Sequence, residues 1–255
     1  MKMDDYIRQK NQRPLRKARA LGSVQALMLT HERTGLLSST VKSYRQSTNV
    51  PLTVIDDGSS SENKRLELDR IEAEGTKVMR FPKGGFVNTW VRALEWARSS
   101  MQGIGGLVLL EDDLSFASGW MGILERMYEG TADLGYMPGA MSCLRVHEDP
   151  QSKTISLRGV EAYQSMWHSF QVNLMPWEVI ANEGLIHKAA ESALKGQHGI
   201  DVYLLGGISD RMGRTNFVSM ESWVAHEGVG KSLVESQGYR ALPYRGYGLV
   251  EELRR

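Results

Sequence analysis

The chain has 255 residues, a hydrophobic fraction of 41%, a charged fraction of 24% and a formal net charge of +1. These values are typical of a folded globular protein, and they exclude long disordered regions and a whole-molecule field that attracts polyanions. The one cysteine, Cys143, excludes an intrachain disulfide, which is typical of a reducing compartment. The sequence contains neither the apolar core of a signal peptide nor an apolar run of roughly 18 residues. We therefore expect a cytoplasmic protein without a membrane span.

Basic side chains outnumber acidic ones over residues 1–20, which we interpret as a basic amino-terminal arm. Such an arm is either a solvated face or a contact for an anionic partner.

Regular alternation begins after the arm and extends to about residue 130. Short apolar segments predict strands over 23–29, 51–57, 77–81 and 106–113. Segments with helical spacing or helix-start residues follow them, over 36–47, 61–74, 86–101 and about 118–129. Because the strands are continuously apolar, the pattern predicts an α/β fold whose mostly parallel sheet is covered by helices on both faces.

The remainder of the chain is less regular. We expect strands or hairpins over 137–145, 154–164 and 168–175, short helices over 176–184, 185–196 and 199–213, and a further strand with a glycine-rich tail over 215–232. No repeat or linker separates the two parts. The simplest architecture is the arm (1–20), a nucleotide-binding α/β half (21–130) and an acceptor-binding α+β half (131–255), the two halves forming one continuous core.

Polar segments follow three of the predicted strands, with sequences THER, DDGSSSE and EDDLS. In parallel sheets ligands bind beyond the carboxyl ends of the strands, so these segments predict a site. Aspartates after strands also cap helices, and this simpler interpretation is open for Asp57 and for any single aspartate. The acidic triplet Glu111–Asp113 favours a site more strongly, because adjacent carboxylates are good ligands for Mg²⁺ or Mn²⁺, which in turn bind diphosphate.

The segments LTVIDDGSSSE (52–62) and VLLEDDLSFASGW (108–120) resemble the two diagnostic segments of nucleotide-sugar-dependent glycosyltransferases with the GT-A fold. The second is similar to the EDD form of the DxD motif found in family-2-like transferases of the N-acetylglucosaminyltransferase I type. The segment SMESWVAHEGVGKS (219–232) resembles the late histidine-containing segment of the same family. Together the resemblance extends over residues 23 to 232.

The resemblance implies a role for each matching residue. Thr30, Glu32 and Arg33 line the base and ribose pocket, and Asp56 or Asp57 contacts the base or ribose. Asp113 binds the metal, Mn²⁺ or Mg²⁺, while Glu111 and Asp112 hold the ribose, the sugar or metal-bound water. His226 contacts the metal or the diphosphate, with a hydrogen-bonded core histidine beside Trp223 as the alternative.

An inverting transfer also needs a carboxylate that takes the proton from the acceptor hydroxyl. By resemblance this base opens a helix in the second half, which favours Asp201; Asp210 in the same segment is too far along the helix. Glu148 and Asp149 are the reserve. A retaining mechanism is not excluded. Trp167, His168 and Trp177 are candidates for contacts with sugar rings, although aromatic side chains are more commonly part of a core.

The resemblance thus implies a metal-dependent glycosyltransferase that uses a nucleotide-sugar donor, by default a UDP-sugar, and a hydroxyl-bearing acceptor. The acceptor is a glycan or, since the arm is basic, a hydroxylated base in DNA of the kind that some phage enzymes modify. Three alternatives are a sugar nucleotidyltransferase, a nucleic-acid-binding protein and an inactive scaffold. The loop THERTG lacks the glycines typical of the first, no binding platform accompanies the arm, and the intact acidic triplet argues against the third.

Overall fold

The structure is a computed structural model that describes residues 20–146, 153–166, 168, 171–196, 198–227 and 248–254. The arm predicted over residues 1–20 lies outside the described residues except for Ala20, as do Glu148, Asp149 and Trp167.

Eleven strands and seven helices are formed by the described residues. The strands are β1 (Val24–Thr30), β2 (Leu52–Asp57), β3 (Lys77–Phe81), β4 (Gly106–Glu111), β5 (Leu114–Phe116), β6 (Pro138–Ser142), β7 (Thr154–Leu157), β8 (Val160–Gln164), β9 (Val172–Pro176), β10 (Thr215–Ser219) and β11 (Val224–His226). The helices are α1 (Leu36–Ser47), α2 (Glu62–Ala73), α3 (Phe86–Ser100), α4 (Trp120–Asp133), α5 (Trp177–Ile180), α6 (Glu183–Lys195) and α7 (Ile200–Asp210). A 3₁₀ turn follows at Glu251–Leu253.

Nine strands form one sheet in the order β3-β2-β1-β4-β9-β6-β10-β8-β7. The first four strands are parallel to one another. Strand β9 is antiparallel to both β4 and β6, so β6 runs in the same direction as β4. Strand β10 pairs in parallel with β6 and therefore has this direction too. Strand β9 belongs to the second half of the sequence and pairs with β4 of the first half. The sheet is therefore continuous across both halves, and the fold predicted from the sequence is confirmed; the functional division into two halves stays a prediction.

Helices cover the sheet on both faces, as the continuously apolar strands predict. Successive residues of β1 alternate between two cores: Ala26 and Met28 pack with α1, α2 and α4, whereas Leu27 and Leu29 pack with α3, α6 and α7. All four side chains are almost fully buried. Within the described ranges, no helix is both long enough and apolar enough to span a bilayer.

The chain differs from the prediction after β4. The predicted strand over 106–113 ends at Glu111, the two aspartates form a bend, and the short strand β5 begins at Leu114. Strand β5 pairs with β11 in a separate two-stranded antiparallel sheet, with Leu114 opposite His226. Helix α4 begins at Trp120 rather than near residue 118, because Gly119 adopts a left-handed conformation with φ of 79°.

Candidate metal and donor site

The three polar strand ends predicted from the sequence lie side by side. In the sheet Thr30 is paired with Asp56, and Leu29 with Glu111, so β1 lies between β2 and β4 at the carboxyl edge. The side chains after β1 and β4 contact one another directly: Thr30 Oγ1 donates a hydrogen bond to Asp112 Oδ2. The edge of the sheet thus brings Thr30, Arg33 and the acidic triplet together.

Asp112 is fully buried and surrounded by cations. Its Oδ1 accepts a hydrogen bond of 2.5 Å from Arg33 Nη2, and its Oδ2 lies 3.8 Å from Lys64 Nζ. Burial raises the pKa of Asp112, and Arg33 and Lys64 offset this only in part. Its backbone carbonyl accepts from Thr40 Oγ1 at 2.9 Å. The side chain is therefore fixed on the α1–α2 side of the edge.

Asp113 is also buried, but it is bonded through one oxygen only. Its Oδ2 accepts from Arg33 Nη1 at 2.5 Å and lies 2.9 Å from His226 Nε2. Burial raises the pKa of Asp113, but the hydrogen bonds and charges of His226 and Arg33 outweigh it, so the net pKa lies below the usual value. Oδ1 has no hydrogen-bond partner among the described residues. One face of this carboxylate therefore remains available for a ligand.

Glu111, Asp113 and His226 form a group whose ligand atoms all lie within 4.8 Å of one another. Strand β11 carries the histidine to Asp113, and the backbone N–H of Glu227 donates to the Asp113 carbonyl at 2.7 Å. Burial and the neighbouring Asp113 raise the pKa of Glu111 to about 8. Burial lowers the pKa of His226, but the hydrogen bond and charge of Asp113 outweigh it and raise the net value.

The donor set fits a divalent cation. Two carboxylates and one imidazole are ligands that Mn²⁺ and Mg²⁺ accept, with waters or substrate oxygens at the other positions. Two buried polar atoms of the group, Asp113 Oδ1 and His226 Nδ1, have no hydrogen-bond partner among the described residues, so both are free to bind a ligand. The sequence analysis had grouped Glu111 with Asp112 rather than with Asp113 and His226.

The loop after β1 is held by helix α2. Glu32 has a left-handed backbone with φ of 48° and accepts from the backbone N–H groups of Ser60, at 2.7 Å, and Ser61, at 3.1 Å. The hydrogen bonds from Ser60 and Ser61 lower the pKa of Glu32 to about 2. Both carboxylate oxygens of Glu32 therefore bind backbone N–H groups at the start of α2. The predicted contact of Glu32 with a nucleotide-sugar donor stays a prediction.

Lys64 and Glu67 form a buried pair that the sequence analysis missed. Lys64 Nζ donates to the Arg33 carbonyl at 2.6 Å and to Glu67 Oε2 at 3.1 Å. Glu67 Oε1 accepts from the backbone N–H groups of Gly35, at 3.1 Å, and Ser38, at 3.0 Å. The pair thus ties the Arg33 loop and the start of α1 to α2. The charged sequence of α2 resembles a solvated face and gives no signal of this.

Asp56 and Asp57 end β2 at the same edge but bind neutral groups. Asp56 accepts from the backbone N–H of Ser59 at 3.1 Å and from its hydroxyl at 2.5 Å. Asp57 accepts from the N–H groups of Gly84, at 2.7 Å, and Gly85, at 3.0 Å, and from Thr89 Oγ1. The bonds of Asp56 stabilise the turn after β2, and those of Asp57 stabilise the start of α3. The predicted contacts of both residues with a nucleotide-sugar donor stay predictions.

Asp201 lies in the first turn of α7. The first residue of β10 pairs with Pro138 at the amino edge of the sheet. Helix α7 leads into β10, so the carboxyl end of the helix lies near that edge. The amino end of α7 therefore points toward the carboxyl edge, where Asp113 lies. Burial raises the pKa of Asp201. Asp210 is the last residue of the same helix and lies toward the opposite edge.

Trp177 and His168, the described candidates for contacts with sugar rings, lie in different parts of the structure. The backbone N–H of Trp177 donates to the Gly105 carbonyl at 2.9 Å, at the amino edge, so the structure does not bring this ring to the site. His168 is buried just before β9, and its Nε2 lies 2.5 Å from Asn173 Oδ1. Burial lowers the pKa of His168 to about 4. Its Nδ1 has no hydrogen-bond partner among the described residues, and its contact with a sugar ring stays a prediction.

No protein-family model matches the sequence, and no curated protein matches it significantly. Solved structures do match. The chain is similar to GalNAc-T7 crystallised with UDP, GalNAc and Mn²⁺, at 16% identity and a TM-score of 0.56 over 78% of this chain and 42% of that one. Residues 1–349 of S. aureus TarS match at 11% identity and a TM-score of 0.49, over 78% of this chain and 58% of that one. A putative glucose-1-phosphate thymidylyltransferase from Bacillus anthracis, in complex with sucrose, matches at 12% identity and a TM-score of 0.46, over 85% and 94%.

The chain spans about half the length of the first two structures. The likeness to GalNAc-T7, together with the helix-flanked, mostly parallel sheet, shows a Rossmann-like fold of the GT-A type, as the sequence analysis predicted. The narrower resemblance to the N-acetylglucosaminyltransferase I type stays a prediction.

Proposed function

We propose that the chain is a divalent-metal-dependent glycosyltransferase, which moves a sugar from a nucleotide-sugar donor to an acceptor hydroxyl. The observation that carries the proposal is the group of Glu111, Asp113 and His226, with two unpartnered buried atoms, at the carboxyl edge of a GT-A sheet. Ligands of such sheets bind at this edge. The GalNAc-T7 structure contains UDP and Mn²⁺, which favours a UDP-sugar and Mn²⁺ here.

Asp113 and His226, with Glu111, would hold the metal, which supplies positive charge for the departing diphosphate. Thr30 donates a hydrogen bond to Asp112, and Arg33 pairs with both Asp112 and Asp113. Thr30, Glu32, Asp56 and Asp57 are the other residues that we assign to the base and ribose end of the donor, because they line the ends of β1 and β2 next to the acidic triplet.

Asp201 is the proposed general base of an inverting transfer. Its carboxylate would take the proton from the acceptor hydroxyl as the hydroxyl oxygen attacks the anomeric carbon and the bond to the diphosphate breaks. Burial raises the pKa of Asp201, which makes its carboxylate a stronger base than an exposed aspartate.

The experiment for the donor is a thermal-shift screen of nucleoside diphosphates and nucleotide sugars, with and without Mn²⁺. A ligand at 100 times its Kd stabilises the native state by about 2.7 kcal/mol, a shift of a few degrees in Tm for a chain of this size. We expect a Mn²⁺-dependent shift with one nucleotide and its sugar. No shift with any nucleotide would contradict the proposal, and a shift only with a nucleoside triphosphate would favour a nucleotidyltransferase.

The experiment for the base compares Asp201→Asn with Asp210→Asn, two changes at opposite ends of one helix. We expect Asp201→Asn to lower transfer by about 100-fold or more and to leave the Kd of the donor unchanged, because general-base catalysis contributes about 10²–10⁴-fold. Transfer by Asp210→Asn should equal that of the wild type. Equal transfer by both variants would remove Asp201 from this role.

A further inference from the structure

Arg33 joins the two aspartates that follow β4. Nη2 donates to Asp112 Oδ1 and Nη1 to Asp113 Oδ2, both at 2.5 Å. Asp113 is also one of the three residues that would hold the metal. We propose that Arg33 is a built-in counter-ion which a divalent cation displaces from Asp113, and that the freed guanidinium then binds the diphosphate of the donor. The second half of this inference rests on the proposed function.

Competition at Asp113 follows from the charges. Oδ2 already accepts a hydrogen bond from the Arg33 guanidinium, so a divalent ion bound to the same carboxylate brings a second cation to one buried side chain. Like charges at contact distance repel strongly where water is partly excluded. The guanidinium therefore lowers the affinity of the apo protein for metal, and metal binding favours its departure.

The side chain of Arg33 is able to leave without disturbing its backbone. The backbone is held at the carbonyl by Lys64 Nζ at 2.6 Å, and Lys64 is itself bound to Glu67 at 3.1 Å. The side chain, in contrast, is 31% exposed, whereas those of Asp112 and Asp113 are fully covered. The guanidinium thus borders solvent at the mouth of the site.

Lys64 keeps Asp112 neutralised when Arg33 moves. Its Nζ lies 3.8 Å from Asp112 Oδ2 and is completely buried, and Thr30 donates to the same oxygen. An isolated buried carboxylate would oppose the departure of its partner, because unpaired buried charge is costly. When the guanidinium leaves, its bond to Asp112 Oδ1 is lost as well, and Lys64 and Thr30 remain to offset the charge of Asp112, while the metal replaces the guanidinium at Asp113.

The guanidinium fits a diphosphate for the same reason that it fits two carboxylates. Its planar fork presents parallel N–H donors to two anionic groups and binds phosphate in this way. Because metal binding frees the guanidinium and the guanidinium binds the donor, metal and donor strengthen each other's affinity by the same factor. Each of the two should therefore bind more tightly when the other is already bound.

Chemical modification of the wild-type protein tests the displacement. Phenylglyoxal reacts with accessible guanidinium groups, and mass spectrometry reports the rate at each arginine. We expect Mn²⁺ or Mg²⁺ alone to accelerate modification of Arg33 by about 5-fold or more, in line with usual coupling factors. Addition of UDP to the metal-loaded protein should slow it again. The exposed Arg65 should react at one rate in all three states. A rate at Arg33 that metal leaves unchanged or lowers would overturn the displacement.

A variant tests the competition independently. In Arg33→Gln the metal has no competitor, so the Kd for Mn²⁺ alone, measured by calorimetry, should fall on the order of 10-fold. The Kd for UDP at saturating Mn²⁺ should rise by a similar factor. The control is Arg45→Gln, since Arg45 is 35% exposed and pairs with Glu74 at 2.9 Å, away from the acidic triplet. Unchanged or weaker Mn²⁺ binding in a folded Arg33→Gln variant would contradict the inference.

Two measurements use metal without nucleotide: the modification rate of Arg33 and the Kd of Arg33→Gln for Mn²⁺. They test the displacement independently of any result with nucleotides. If Arg33→Gln does not fold, the modification rates of the wild type still decide it. Absence of binding by every nucleotide would contradict the proposed function and the second half of the inference, and would leave the displacement intact.

Discussion

Two Asp-Asp pairs end neighbouring regions of one sheet edge, and they differ in what binds them. Asp56 and Asp57 accept hydrogen bonds from backbone N–H groups and hydroxyls. Asp112 and Asp113 face Arg33, Lys64 and His226, and one oxygen of Asp113 has no partner among the described residues.

The same dipeptide therefore carries two kinds of site. Neutral N–H and O–H groups bind both carboxylates of the pair after β2 and stabilise a turn and the start of a helix, and the proposed contacts with base and ribose would be made in addition. The pair after β4 is bound by charges that a competing cation is able to replace. The identity of the neighbours, rather than the acidic motif, distinguishes a structural carboxylate from the proposed metal ligand.

The largest expected difference between the two pairs is in the metal dependence of catalysis. Asp113→Ala should lose Mn²⁺-stimulated hydrolysis of the nucleotide sugar by at least about 100-fold, since even indirect metal contacts contribute 10–100-fold. Asp57→Asn should still be stimulated by Mn²⁺. The ratio of the rates with and without Mn²⁺ is the quantity to measure. Stimulation that survives Asp113→Ala would remove the distinction.

The next effect is on stability, and it is expected at the pair after β2 rather than at the pair after β4. Asp57→Asn should lower the free energy of unfolding by about 3 kcal/mol, because charge-assisted bonds from Gly84 and Gly85 are lost and an amide NH₂ meets N–H donors. Urea unfolding measures the change. An unaltered midpoint would show that the Asp57 contacts contribute little, and the pair after β2 would then lose its structural interpretation.

A pH-dependent effect comes from His168, which precedes strand β9, the neighbour of β4 in the sheet. Its folded-state pKa is about 4, below the ordinary 6.5, so the unfolded chain binds more protons between these values. Stability is therefore complete above about pH 6.5 and is lost as the pH falls toward 4. Between pH 7 and pH 5 the loss is about 2 kcal/mol.

The matched variant for this effect is His168→Gln, whose free energy of unfolding should fall by about 2 kcal/mol less over the same interval. Parallel curves for the two proteins would show that folding leaves the pKa of His168 unchanged, which would contradict the effect of its burial.

The smallest effect is expected at Asp56. In Asp56→Asn the amide oxygen still accepts from the N–H of Ser59, so the free energy of unfolding should fall by less than about 1 kcal/mol. A larger loss, or a loss of Mn²⁺ binding, would indicate that Asp56 contributes to the site through its charge.

Local patterns in the sequence predict much of the fold. Continuously apolar runs identify β1 to β4, and helical spacing identifies α1 and α3, because both faces of the sheet are buried. The strand-end aspartates follow from the same pattern. Burial of Lys64 could not be predicted, since its helix is mostly charged and only tertiary contacts distinguish it from a solvated lysine.

The position of His226 depends on pairing between distant segments. Strand β5 has three residues, too few for a periodic signal, and it meets β11 more than a hundred residues later in the chain. Nothing local in the sequence encodes that contact, so only the resemblance pointed to the histidine. The partition of the acidic triplet, with Glu111 and Asp113 on one side and Asp112 on the other, likewise depends on the bend after β4.

The most direct measurement is the binding of Mn²⁺ alone, followed by the electron paramagnetic resonance signal of the free ion. We predict one site in the wild type and in Asp57→Asn, and none in Asp113→Asn over the same concentration range. His226→Gln should bind more weakly, by about 10-fold or more. Equal binding by the wild type and Asp113→Asn, or no binding by the wild type, would contradict the assignment of the carboxylates after β4 as a metal site.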